Sequence, residues 1–222
     1  MWCIPKLTPE FKERMEDILV LYKKPYDPLE PVWCLDEKSK QLLADSRPSI
    51  PTAPGKIAIQ DYEYVRKGTA NIFVAVQPLA CRRFTEVTKR RTKIDYAHFV
   101  EQIITLHPEA KTIHAVQDNL NTHFLASFIK AFGLRKAMKL WKRLTVHYTP
   151  KHASWLNMAE IEINALSAQC LDRRIASFDE LRSEVAACTE KRNADRCTIK
   201  WKFTPEKARE KFPTLYLNEF SG

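Results

Sequence analysis

Strand-type and helix-type segments follow one another along this chain in an order that few folds accept. Val32–Leu35 is a short apolar run closing on Asp36, and it reads as a buried strand that ends there. Residues 57–59 and then 61–78 (DYEYVRKGTANIFVAVQP) carry strand-type residues on both sides of Lys67-Gly68, which predicts a hairpin with that pair at its tip. Residues 84–91 predict another strand with a basic end. Ile94, Phe99, Ile103 and Leu106 recur at helical spacing. Residues 112–117 then predict a strand closing on Asp118, residues 122–132 a helix stopped by Gly133, and residues 144–148 a strand closed by Pro150. Helices follow over 157–171 and over 177–192, the second opened by a Ser177-x-x-Glu180 capping box. A helix over 8–24, capped by Thr8, precedes the strands, and a short one starting at Thr204-Pro205 ends the series. Strands first, then strand and helix in alternation, imply an α/β architecture, a mixed sheet covered by helices.

In such sheets, sites gather at the carboxyl ends of strands. Asp36 and Asp118 stand at two predicted strand ends, and Glu160 stands in the first turn of the following helix. Neighbouring strands would bring the three together. Clustered carboxylates raise one another's pKa, and a cation relieves that cost. Hard oxygen donors suit Mg²⁺ or Mn²⁺, and two such ions about 4 Å apart clamp the attacking and leaving oxygens of a phosphodiester. Plainer readings stand beside this one. An Asp after a strand is commonly a turn residue, Asp118-Asn119 fits an Asx-turn, and Asn157-x-x-Glu160 has capping-box spacing. At about 100° per residue, Glu162 points some 200° away from Glu160. Neighbours on each face give Glu160 the slightly more enclosed position.

Charge points the same way. The net charge of +9 arises in residues 51–150, which hold 16 basic and 7 acidic side chains, while the flanks balance. A basic zone suits a polyanion such as nucleic acid, or simply a soluble surface. Arg66-Lys67, Arg82-Arg83 and Lys89-Arg90-Arg91 with Lys93 are the candidate phosphate contacts. There are 4 glycines, no two closer than 13 residues apart, which excludes the glycine-rich loops that cradle nucleotide phosphates. The 6 cysteines show no zinc-ligand spacing, and Cys34 and Cys170 read as core residues. Reduced thiols, no signal-peptide core and no membrane-length apolar run predict a cytoplasmic protein with no membrane partner. Trp201 and Phe203 read as packing for the C-terminal helix.

Four stretches carry a resemblance: VWCLDEKSKQLL (32–43), DYEYVRKGTANIF (61–73), QDNLNTH (117–123) and HYTPKHASWLNMAEIE (147–162). Together, in this order, they resemble the bacterial insertion-sequence transposases of the insertion sequence 630 family, in the mariner-type superfamily. The resemblance runs from about Trp2 to about Tyr216. It implies an RNase H-like DDE endonuclease domain. The family's "DE" Asp matches Asp36, its "DN" Asp matches Asp118, and its Glu matches Glu160. The 41 residues between Asp118 and Glu160 resemble the bacterial branch. Cys81 and Ala153 stand where relatives carry Gly, so Ala153 is expected in a turn that favours positive φ.

The resemblance further implies two Mg²⁺ (or Mn²⁺) ions held by Asp36, Asp118 and Glu160. It implies DNA strand cleavage and strand transfer at transposon ends, with double-stranded DNA (ends and target) as partner. A homodimer and a separate helix-turn-helix subunit are further partners it suggests. Lys151, His123 and His152 lie beside the matched motifs; substrate orientation, or a capping or core role for the histidines, remain open. Expected divisions are 1–30 as N-terminal helix and linker, 31–175 as catalytic domain and 176–222 as helical extension. The start falls where relatives have the linker after a helix-turn-helix. That implies a catalytic domain alone, as a fragment, a decayed copy or half of a split gene. The rival reading is a non-catalytic DNA-binding relic.

Overall fold

The computed structural model describes residues 7–48, 50–59 and 61–216; the Met1–Ile4 start, Cys3 included, lies outside them. Helix α1 (Pro9–Lys23) starts where Thr8 accepts a bond from Phe11 N and Pro9 takes the first position. Strands β1 (Val32–Asp45), β2 (Tyr64–Gln77) and β3 (Arg82–Thr88) form an antiparallel meander. Helix α2 (Lys93–Thr105), β4 (Ile113–Gln117), α3 (Leu125–Trp141) and β5 (Leu144–Tyr148) follow, with β4 and β5 parallel to β1. Helices α4 (Ala159–Leu166), α5 (Phe178–Ala194) and α6 (Pro205–Lys211) complete the series. The sheet order is β3-β2-β1-β4-β5. This mixed sheet flanked by helices is the RNase H-like arrangement expected.

The sheet is packed on both faces. Trp33, Leu35, Phe73, Ala75, Ile113 and Ala115 meet Phe99 and Ile103 of α2 and Phe128 of α3. On the other face Ile72, Val74 and Val87 meet Ile163, Leu166, Leu181 and Val185 of α4 and α5, and Cys34, Val76 and Val116 meet α1 and α4. Adjacent residues such as Trp33 and Cys34 therefore enter opposite cores, as strand alternation requires. Cys34 and Cys170 are buried. Trp201 and Phe203 pack against the cluster of Phe11, Met15 and Ala208.

Two local expectations are overturned. β1 does not end at Asp36: it continues to Asp45, because β2 pairs with it from Cys34 to Asp45, beyond the point where β4 stops. Lys67-Gly68 is not a hairpin tip. Gly68 lies opposite Leu42 and Arg66 opposite Leu43, so Lys67 is the extra residue of a bulge inside β2. Gly68 takes φ 115°, a conformation that glycine accepts readily. The strands meet at their other ends instead, where Asp45 closes β1 opposite Tyr64, the first residue of β2. Gly133 (φ 75°) does end a helical run, and α3 resumes beyond it. The helix expected over 157–171 is split into α4 and a π-helical turn over Ser167–Leu171.

Candidate functional site

Parallel pairing of β1 with β4 positions the first two carboxylates. The last registered pair is Cys34 opposite Val116, and both side chains enter the core under α1 and α4. Asp36 and Asp118 each stand two residues further on, and a period of two returns Asp36 to that same face. Helix α4, whose Ala159 packs on that face, brings Glu160. Asn157 holds this helix in place. Its Nδ2 donates to Leu35 O (2.7 Å), next to Asp36, while its Oδ1 accepts from Ala159 N (3.1 Å). Asn157 thus caps Ala159, and the plainer reading of Glu160 as its capping-box partner is not what forms. Among the described residues, no hydrogen bond or ion pair engages the Glu160 carboxylate.

The carboxylates sense one another. Burial pushes the Asp36 carboxyl up to about 7, against a hydrogen bond from Glu37 N that favours the charged form; the charges of Glu37, Asp118 and Glu160 add to the rise. Oxygen donors that repel one another in this way fit a hard divalent cation in type. Among the described residues no three His, Cys, Asp or Glu side chains are already arranged to hold an ion.

His123 links two of the acidic segments. Its Nε2 lies 2.8 Å from Glu37 Oε1, and its Nδ1 lies 2.8 Å from Asp118 Oδ1 and 3.1 Å from Asp118 O. Burial would lower its pKa, but the bonds to Asp118 and Glu37 outweigh that and raise it to about 9. At 1% exposure it belongs to the interior rather than to a substrate surface. His152, by contrast, is exposed and takes φ 62°, and Lys151 beside it is exposed. The positive φ expected at Ala153 therefore falls one residue earlier, and Ala153 itself is buried at φ −126°. Cys81 does sit at positive φ (55°).

Glu162, not Glu160, is the more enclosed acid of α4, reversing the expectation. It is 3% exposed; Arg83 Nε reaches it at 3.1 Å, Arg192 Nε at 2.5 Å and Arg192 Nη2 at 3.0 Å. Helix periodicity alone did not show that β3 and α5 would each aim an arginine at that face. Arg83 is correspondingly 3% exposed, so its side chain is a core ion-pair partner and not a surface phosphate contact. Arg66, Lys67, Arg82, Lys89, Arg90 and Arg91 are exposed and Lys93 is half-buried. Arg66 and Lys67 lie within β2, Arg82 at the start of β3, and Lys89–Arg91 with Lys93 between β3 and the first turn of α2. Glu37 was not singled out in the sequence; its place beside Asp36 and the His five residues after Asp118 were the signals available.

Comparison with known proteins gives this geometry a family. The chain resembles the crystal structure of the Mos1 strand transfer complex at 15% identity and a TM-score of 0.52, covering 86% of this chain and 62% of that one. It also matches the Mos1 mariner paired end complex with Mn at 16% identity (TM-score 0.47; 88% of this chain, 65% of that one). The catalytic core domain of BIV integrase matches at 16% identity (TM-score 0.41; 84% and 99%). At this identity the first likeness shows the fold, and the chain spans about three fifths of the Mos1 chain. No curated protein matches the sequence. The family model described as DDE superfamily endonuclease matches residues 31–182, a stretch that holds Asp36, Asp118 and Glu160, and the chain belongs to that superfamily.

Proposed function

We propose that this chain is the catalytic domain of a DNA transposase of the bacterial insertion sequence 630 type, acting in metal-dependent strand cleavage and strand transfer at transposon ends. What supports the reading is the parallel register of β1 with β4, which leaves Asp36 and Asp118 each two residues past the Cys34–Val116 pair, and the Asn157–Leu35 bond that ties the helix carrying Glu160 to β1. Asp36, Asp118 and Glu160 would hold the divalent ions, Mg²⁺ or Mn²⁺, in the two-ion pattern that the resemblance implies. Bound there, the metal supplies activation of the attacking oxygen and stabilisation of the leaving one. The chain's own groups do the rest. β1 and the end of β4 carry two carboxylates side by side, and Asn157 fixes the helix that carries the third. Exposed Arg66, Lys67, Arg82, Lys89, Arg90, Arg91 and Lys151, with the half-buried Lys93, are the proposed phosphate contacts. Double-stranded DNA is the proposed partner, together with a second copy or a separate recognition subunit. The protein is read as cytoplasmic.

A nicking assay on supercoiled plasmid, with and without Mg²⁺, tests the reading. Metal-dependent nicking is expected in the wild type, with none in Asp118→Ala. Equal nicking by that variant would sink the assignment. DNA binding without metal-dependent cleavage on any substrate would support the non-catalytic relic instead.

A further inference from the structure

We propose that His123 is a positioning residue that fixes the Asp118 carboxylate and ties it to Glu37, so that the first two acidic segments act as one rigid unit. The inference rests on the reading of Asp118 as a metal-holding carboxylate. Asp118 lies just past the end of β4, where no strand partner restrains its side chain. A carboxylate there would rotate among several orientations. His123 removes that freedom from one side. Its Nδ1 contacts both Oδ1 and the backbone oxygen of Asp118, while Nε2 is spent on Glu37 Oε1. Leu120 N also donates to Oδ1 (3.4 Å), so Oδ2 is the oxygen left for a ligand.

His123 is itself held through both its ring and its backbone. Its ring lies against the Tyr96 ring, with centroids 4.5 Å apart. The main-chain oxygen of His123 accepts from Tyr148 Oη (2.8 Å) and from Gln117 Nε2 (3.3 Å), which fixes the backbone that carries the ring, and Gln117 is anchored in turn by Tyr96 Oη (2.7 Å). With both ring nitrogens engaged and 1% of its surface exposed, His123 cannot reach a substrate. It acts through Asp118. Partners of this kind orient metal-holding side chains, and losing one typically costs about 10–100-fold in metal affinity or activity.

The two ring nitrogens can be tested separately. An Asn amide nitrogen falls near the place of Nδ1, and a Gln amide nitrogen near that of Nε2. His123→Asn therefore keeps the donor to Asp118, and His123→Gln keeps only the donor to Glu37. Mn²⁺ binding to the full chain is read by electron paramagnetic resonance, with melting curves for each variant. His123→Gln is expected to weaken Mn²⁺ binding by about 10–100-fold, and His123→Asn to show the smaller loss. Equal affinities in the two variants, or tighter binding by His123→Gln, would overturn the proposal. So would lowered melting midpoints with Mn²⁺ affinity intact, since a packing role alone predicts that. Asp118→Asn separates the two levels. If it binds Mn²⁺ like the wild type, the underlying reading of Asp118 fails. If it loses binding while both His123 variants retain it, only the positioning assignment falls.

Discussion

Two residues apart on α4, Glu160 and Glu162 meet opposite electrostatic surroundings. Glu162 is neutralised by Arg83 and Arg192 in the interior, whereas Glu160 adds to the repulsion felt by Asp36. Glu162→Ala leaves Arg83 buried and unpaired, and is expected to cost about 3–5 kcal/mol in urea unfolding. Asp36→Asn should act in the opposite sense. Because the folded carboxyl titrates near 7 and the ordinary value is 3.8, its ionised form weakens the fold above neutrality. The variant should therefore melt higher than wild type at pH 8, with the gain shrinking as pH falls toward 4, while metal-dependent nicking disappears. A smaller effect belongs to Cys81, whose φ of 55° suits glycine. Cys81→Gly should raise the urea midpoint, by about 0.5–1 kcal/mol in stability after the added chain entropy is set against the relieved strain. Of these residues, Asp36 was singled out in the sequence by the motif it stands in. Glu162's role was not legible there, because no spacing rule links it to Arg83, 79 positions away.

At the scale of elements, one polar chain runs from the exposed Asp17 of α1 to the buried His147 of β5 and His114 of β4. Asp17 Oδ2 lies 2.6 Å from His147 Nδ1, and His147 Nε2 lies 2.9 Å from His114 Nδ1. Burial lowers the pKa of His114, and the nearby His147 and Lys24 lower it further against the pull of Glu30. A histidine whose folded pKa is depressed resists protonation, so stability is kept above the ordinary value of 6.5 and lost as pH falls below it. Asp36 contributes the opposite trend over the same range, so the test is a difference between variants: the His114→Gln melting midpoint should gain on that of the wild type as pH goes from 7 to 5. The elements themselves were largely readable. Every helix opened by a Thr or Ser cap begins within a residue of its expected start, because capping is a local interaction. The bulge at Lys67 was read as a turn, since the same Gly signal serves both and only pairing with Leu42 and Leu43 separates them.

Across the whole molecule, the basic excess of residues 51–150 is divided between interior and surface. Arg83 is spent on Glu162, while Lys89, Arg90 and Arg91 lie exposed together between β3 and α2. If these three meet phosphates, replacing them all by Ala should reduce the salt slope of DNA binding by about 3, roughly one for each contact. A slope unchanged from wild type would place the DNA elsewhere. The sequence by itself determined the α/β order, the helix caps, the burial of Cys34 and Cys170, and the motifs that hold Asp36, Asp118 and Glu160. These follow from local periodicity and from short stretches of neighbouring residues. Only the tertiary structure decided which charges face one another: Arg83 with Glu162, His123 between Glu37 and Asp118, and Asn157 against the strand that carries Asp36. Such pairs are set by how distant segments pack, and Coulomb and hydrogen-bond energies depend on those distances and on burial, which no one-dimensional pattern encodes.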